Sequence, residues 1–483
     1  MSQVTDHDAV LDAFRADASL DAGRQFLELI VRYLDQTSRG EAPVSTRLSA
    51  EEVASHFAEP LPTGVQPLPA ILDRLERDVL TDVTRLMHPM CMGHQVSAPL
   101  PATIWTDALI SAVNGSASVR EMSPSANAIE HQIVRWLGDL VGYGPTSGGT
   151  LTSGGTEATF TAMLAARAKA CPDAWEQGVG MNPPVVVYGE QAHYAVTRAI
   201  AELGLGLRAG VSVPLRQHHM DTDALRVTLD RLAAEGRMVM AVVATAGSTS
   251  VGAFDDLEVV GTECDRRGLW LHVDGAHGAS ALLSARHRHR LAGLTHADSI
   301  AWDPHKMMLL PLSAGLLLVR RERDLDATFA QRAPYLFHAQ DSERVWDQGV
   351  RSFLCSRRTD AIKLWVALER YGADGIGHLY DRLCDLTIAL HARLVDHPDF
   401  EPLHVPESNI QCFRYVGARA ARDIDSFNFE LRQAYNRSGE GWITTTLVEG
   451  QRALRTTIMN PHTTERHLDL LLDGLTRTAS GLV

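Results

Sequence analysis

The sequence predicts an α/β protein organised around a mostly parallel sheet covered by helices on both faces. Three observations predict it. Between about residues 85 and 370, short apolar runs of strand length alternate with segments of helical periodicity. Polar clusters follow those apolar runs, at the carboxyl ends of strands where ligands sit in such folds. One cluster carries a lysine, Lys306, on a short connection between two strand-like runs.

Taken in order, Phe26, Leu29, Ile30, Tyr33 and Leu34 recur at helical spacing and mark an amphipathic helix. Ser49-Ala-Glu-Glu52 has the form of a capping box and predicts a second helix start. Pro60, Pro62 and Pro67 punctuate the connection that follows. Residues 1–84 are therefore expected to form a helical arm, short of apolar content and packed on another surface such as a partner subunit. Residues 85–370 are expected to form the large domain. There, Ile129, Ile133, Trp136, Leu137 and Leu140 make one helical face, Val185 to Tyr188 a buried strand, and residues 194–203 a helix. Val239 to Ala244 reads as strand, Leu257 to Arg266 as helix and Leu269 to Val273 as strand. Ser299 to Trp302 and Ala314 to Val319 are the last two strand-like runs, separated by Pro304. From 371 to 483 helical periodicity returns around a few short strands, which predicts a smaller α+β carboxyl-terminal domain.

Composition narrows the class. With 45 basic against 59 acidic residues the formal charge is −14, which argues against a nucleic-acid or anionic-membrane surface. The six cysteines, Cys91, Cys171, Cys264, Cys355, Cys384 and Cys412, never fall at C-x-x-C spacing, so neither a metal site nor a disulfide framework is expected. Reduced thiols fit a cytoplasmic protein. The stretch from Met1 to Asp8 has no basic or apolar signal-peptide regions, and no run approaches 18 apolar residues.

Four clusters carry chemistry. Lys306 lies between apolar segments, where lost hydration favours a neutral, nucleophilic amine able to form a Schiff base with a carbonyl cofactor. Thr152-Ser-Gly-Gly-Thr-Glu-Ala158 opens a helical run to Ala170. Free N–H groups and the helix dipole there suit an anion, with Gly155 and Thr156 as phosphate contacts. Taken alone, such a stretch is more often an ordinary N-capped helix than a phosphate site. Asp274 ends the apolar run Trp270 to Val273, where a carboxylate needs a cation or several donors. A protonated pyridine nitrogen is such a cation, and that pairing makes pyridoxal phosphate an electron sink; capping a neighbouring helix is the alternative. His193 ends Tyr188-Gly-Glu-Gln-Ala-His193 and suits stacking on a pyridine ring, and Thr245 to Thr249 ends another strand with hydroxyls. Together the clusters point to a pyridoxal phosphate site.

On these residues the chain resembles the group II pyridoxal-phosphate-dependent amino acid decarboxylases, within them the glutamate and cysteine sulfinate decarboxylase branch. The likeness runs from His88-Pro89 to about Pro461, and its most specific stretches are Ser284 to His289, Ala301 to Met308, Tyr335-Leu-Phe337 and Cys355 to Trp365. The resemblance implies a fold-type-I, aspartate-aminotransferase-like homodimer with shared active sites. It makes Lys306 the lysine bonded to the cofactor, Asp274 the ring-nitrogen partner and His193 the stacking residue. It places Gly155, Thr156, Thr249, Ala276, Asp303 and His305 around the cofactor, and gives Arg455 the substrate α-carboxylate. Tyr335 becomes the residue that protonates the carbanion after carbon dioxide leaves.

Departures from the family pattern bear on substrate. Asp303 stands where animal members carry asparagine, an acid that would repel a phosphate unless paired. In Met92-Gly-His-Gln95, His94 stands where the glutamate enzymes use glutamine, and Ser116 to Arg120 replaces bulkier residues. His94, Gln95 and Arg120 are thus the side-chain-recognition candidates. Arg120 and His94 suit an acidic side chain or, equally, an ion pair at a subunit interface. The expectation is an α-decarboxylase of glutamate, aspartate or cysteine sulfinate. The alternatives are an aromatic or diamino acid decarboxylase, an oxygen-using aldehyde synthase, and a pyridoxal-phosphate-binding protein without turnover.

Overall fold

Short runs, most of them rich in valine and leucine, become strands, and those at the centre of the main sheet are buried on both faces. In a computed structural model, which describes residues 6–329, 346–417 and 423–482, they are β1 Gly148–Thr152, β2 Val185–Gly189, β3 Gly210–Val213, the two-residue strands β4 Leu215–Arg216 and β5 His219–Met220, β6 Val239–Thr245, β7 Trp270–Asp274, β8 Ser299–Trp302 and β9 Gly315–Val319. Among the described residues one seven-stranded sheet has the order β1-β9-β8-β7-β6-β2-β3. β3, β2, β6, β7 and β8 pair in parallel. β9 is antiparallel to both β8 and β1. β1 therefore runs the same way as β8, and the ends of β1, β2, β6, β7 and β8 share one edge of the sheet.

The helix Gly155–Ala170 fixes that edge. Its middle, residues 158–166, is buried nearly all round, as in a helix enclosed by the core. Ala158, Ala162, Met163, Ala165 and Ala166 pack with Val186, Ala241, Val243, Ala301 and Leu317 of the sheet. Each fully buried valine or leucine contributes roughly 1.5–3 kcal/mol. Alanines let the helix lie close to the strands, so its first turn is held rigidly beside their carboxyl ends.

The chain forms two compact units, one of Met1–His94, Asp396–Glu401 and Phe413–Val483, the other of Gln95–Val395 and Pro402–Cys412. This division differs from the sequence boundaries at 84 and 370. Gly372, with φ +70°, kinks the helical segment Ala361–Asp396 just past the expected break, but the chain stays with the larger unit to Val395. At the other end, residues 1–94 share a unit with the carboxyl-terminal segment. Backbone N–H groups of Val44 and Met92 donate to Gly439 and Trp442, and the Thr457 N–H donates to Met92. The expected helix around Phe26 is Leu20–Ser38, and Ser49 and Glu52 make the capping box that starts Ala50–Ser55. A second sheet joins β10 Phe400–Pro402, β11 Ile410–Tyr415, β12 Thr444–Val448 and β13 Gln451–Thr457 in the order β10-β11-β13-β12. Among the described residues no helix is long and apolar enough to cross a membrane.

Candidate active site

The shared strand edge of the larger unit opens into a cavity of about 340 Å³, near the lower end of the roughly 300–1,000 Å³ usual for small-molecule sites. Gly155, Thr156, His193, Thr249, Asp274, Ala276, Asp303, His305 and Lys306 line it, nine residues expected from the sequence and brought together from five segments. Ser153, Gly154, Thr245, Gly247, His277 and Leu312 complete the wall.

Each side chain arrives through its strand. Asp274 ends β7 with 8% of its surface exposed, and its Oδ1 accepts from the Ala276 N–H at 3.2 Å. That single backbone donor leaves the other oxygen for a cation. His193 caps the helix Tyr194–Glu202, its Nδ1 accepting the Ala195 N–H at 3.2 Å. That bond assigns the proton of the neutral ring to Nε2. Burial, assisted by the charge of Lys306, holds the His193 pKa below the ordinary histidine value against the opposing pull of Asp274 and Asp303. A neutral ring with a free N–H edge is suited to stacking.

The sequence setting predicts a Lys306 amine shielded by apolar segments, but a carboxylate also faces it. Its Nζ lies 3.1 Å from Asp303 Oδ2, and its side chain is 21% exposed. Physically, the turn after β8 brings residues three apart to the same side, so the acid noted at 303 is paired rather than isolated. His305 Nε2 stands 3.5 Å from the same oxygen. Burial lowers the pKa of His305, and its Nδ1 meets the Ala314 carbonyl at 2.8 Å.

The anion cradle is built by absence of side chains. A Cβ on Gly155 would stand 2.8 Å from Ala276 Cβ and 3.0 Å from Asp303 Oδ2. Gly247, at φ +83°, would place a Cβ 2.8 Å from the Gly278 nitrogen. A phosphate at the first turn of Gly155–Ala170 would meet backbone N–H groups and the positive end of a 16-residue helix. A pyridine ring would have the Asp274 carboxylate for its nitrogen and a neutral imidazole for its face. The donor set thus fits pyridoxal phosphate.

Sequence reasoning missed the groups that brace this wall. Asp255 accepts the N–H groups of Thr245 and Met220, each at 2.7 Å, pinning the turn that carries Gly247 and Thr249. Lys363 is fully buried, donates to the Ser313 carbonyl at 2.8 Å and pairs with Asp360 at 3.0 Å, which holds the segment carrying Leu312. A buried lysine and a buried aspartate that bond backbone carry no local sequence pattern.

The remaining expected residues lie elsewhere. Gln95 and Arg120 belong to the larger unit but do not line the cavity; Gln95 Nε2 is a buried donor without a partner among the described residues, and the Arg120 N–H donates to Asp347. His94 and Arg455 belong to the smaller unit. There the His94 ring meets Trp442 edge-on at 5.0 Å. Partial burial and then the charges of Arg455 and Arg432 lower its pKa. Arg432 was not singled out from the sequence, where it reads as one more polar position of the helix Ile424–Ser438. Arg455, on β13, is 6% exposed and donates to Thr457 Oγ1 at 3.2 Å. Tyr335 lies outside the described residues.

Comparison with known proteins agrees with this geometry. The model of the pyridoxal-dependent decarboxylase conserved domain matches residues 51–416. An L-2,4-diaminobutyrate decarboxylase of Rhizobium meliloti (strain 1021) is 33% identical over 94% of this chain and 91% of its own length. The cysteine sulfinic acid decarboxylase of Rattus norvegicus is 31% identical over 85% of this chain and 86% of its own. The crystal structure of mouse CSAD superposes with a TM-score of 0.89 at 26% identity, covering 96% of this chain and 99% of that one.

Proposed function

The chain belongs to the pyridoxal-dependent decarboxylase family and is a pyridoxal-phosphate-dependent amino acid decarboxylase; on that premise we propose that its substrate is an acidic L-amino acid, of the size of aspartate, cysteine sulfinate or glutamate. The observation that carries the proposal is the charge around His94. Its electrostatic neighbours, Arg455 and Arg432, are both positive. Such a cluster attracts a dianionic substrate, which brings one carboxylate for Arg455 and a second acid for the remaining basic groups.

In this reading Lys306 is the amine that would hold the cofactor through its aldehyde. Bound there, pyridoxal phosphate supplies the ring that accepts the electrons left at Cα when carbon dioxide departs. Asp274 would keep the ring nitrogen protonated and the neutral His193 imidazole would stack on the ring face. Gly155 and Thr156 hold the phosphate, and Thr249, Ala276 and His305 wall the ring. Arg455 orients the α-carboxylate, a positioning effect worth on the order of 7 kcal/mol or more at its best. Tyr335 or His193 returns the proton to Cα. Gln95 and Arg120 take part in side-chain recognition.

A diamino acid is the second reading, supported by the diaminobutyrate decarboxylase to which the chain is 33% identical. The positive surroundings of His94 disfavour a cationic side chain, so the two readings predict opposite preferences. Carbon dioxide release across acidic, diamino and aromatic L-amino acids decides between them. Aspartate, cysteine sulfinate or glutamate is expected to be turned over at least tenfold faster than diaminobutyrate; the reverse order would refute the acidic reading. Oxygen uptake with ammonia release in the same assay would instead mark an aldehyde synthase. The same reading includes a homodimer and a cytoplasmic location, the latter supported by six cysteines with no C-x-x-C spacing.

A further inference from the structure

Asp303 is the acid of the cavity without an evident task. It is 2% exposed, its Oδ1 is buried with no hydrogen-bond partner among the described residues, and its Oδ2 is 3.1 Å from Lys306 Nζ. The same Oδ2 would lie 3.0 Å from a Cβ on Gly155, so the carboxyl borders the cradle assigned above to the phosphate. A carboxylate facing a phosphate dianion in a water-poor site is strongly repelled.

We propose that Asp303 is a proton carrier of the cofactor site: it takes the ammonium proton of Lys306 when cofactor is loaded and, as a neutral carboxyl, donates it in a hydrogen bond to the cofactor phosphate. The inference rests on the pyridoxal phosphate reading of the cavity. The exchange balances, because Lys306 –NH3⁺ and Asp303 –COO⁻ become –NH2 and –COOH with no electrons moved. It frees the lysine amine for bonding and converts the neighbouring acid from a repelling anion into a donor. The other charged or titratable groups around Asp303 are His305, 3.5 Å from Oδ2, and His193, Asp274 and His277 across the cavity. Glu157 in the adjacent helical turn bonds Ser153.

The test measures dissociation constants of pyridoxal 5′-phosphate and of pyridoxal, which lacks the phosphate, for the wild type and Asp303→Asn between pH 6 and 9. An amide donates at every pH. The wild type should therefore lose pyridoxal phosphate affinity relative to D303N as pH rises, by up to tenfold per pH unit while the bound form keeps a carboxyl proton that the free form lacks, and the ratio should level once that proton is released. For pyridoxal the ratio should stay flat, which removes any effect of the substitution on Lys306. If D303N does not fold, Asp303→Ser supplies another neutral donor for the same comparison. A pyridoxal phosphate ratio independent of pH, or an equal slope for pyridoxal, would overturn the proposal. A wild type that binds neither aldehyde, with no borohydride-fixed label on Lys306, would overturn the cofactor reading itself.

Discussion

Replacing Gly155 by alanine separates a folding effect from a binding effect. Gly155 is the first residue of its helix, and nothing in its backbone excludes a side chain. Alanine gains up to about 1 kcal/mol of helix propensity over glycine. Against that, the new methyl would sit 2.8 Å from Ala276 Cβ and 3.0 Å from Asp303 Oδ2. Relieving contacts of that kind costs about 1–3 kcal/mol. The net change in folding stability is thus small, about 0–2 kcal/mol of destabilisation. The binding effect is larger in proportion, because Ala276 and Asp303 both line the cavity and the methyl occupies the space meant for an anion. A loss of about 1.4–2.8 kcal/mol in cofactor binding corresponds to roughly 10- to 100-fold weaker affinity. Equilibrium dialysis of pyridoxal 5′-phosphate, with a urea melt alongside, measures both quantities. A folded G155A protein that binds the cofactor within twofold of the wild type would refute the cradle.

The same geometry leads to two further outcomes. Arg455→Met should lower kcat/KM about 10- to 150-fold, the equivalent of one charge-assisted contact of about 1.5–3 kcal/mol, while cofactor affinity holds; an unchanged kcat/KM would remove Arg455 from substrate binding. Folding stability should peak near pH 6.5. His88 and His272 are buried, and burial pushes the pKa of each down to about 4. The unfolded chain therefore binds more protons than the folded one between about pH 6.5 and 4, and stability falls with pH across that window by up to about 3 kcal/mol per histidine. His219 works in the opposite direction, its pKa raised to about 9 chiefly by the hydrogen bond to Glu407. Its stabilisation is complete below about pH 6.5 and is lost as pH rises toward 9. Urea melts from pH 4 to 9 check the peak: a curve still rising between pH 6.5 and 9 would contradict the His219 assignment, and one that does not rise between pH 4 and 6.5 would contradict those of His88 and His272.

Read alone, the sequence determined the kind of fold and the chemistry of the cavity wall. Alternating strand and helix periods imply a parallel sheet, and strand-end residues such as Asp274, His193 and Lys306 are legible because a strand delivers whatever follows it to one edge. The capping box at Ser49 was legible for the same local reason. Tertiary structure decided what depends on neighbours distant in sequence. β1, glycine-rich and short, is a strand because β9 pairs with it residue for residue. The amine of Lys306 meets a carboxylate because the turn after β8 folds Asp303 back toward it. Asp255 and Lys363 brace the cavity by bonding backbone, and Arg432 acquires meaning only beside His94. Periodicity records which face a residue turns to the core, whereas ion pairs and braces depend on which segments the completed sheet sets side by side.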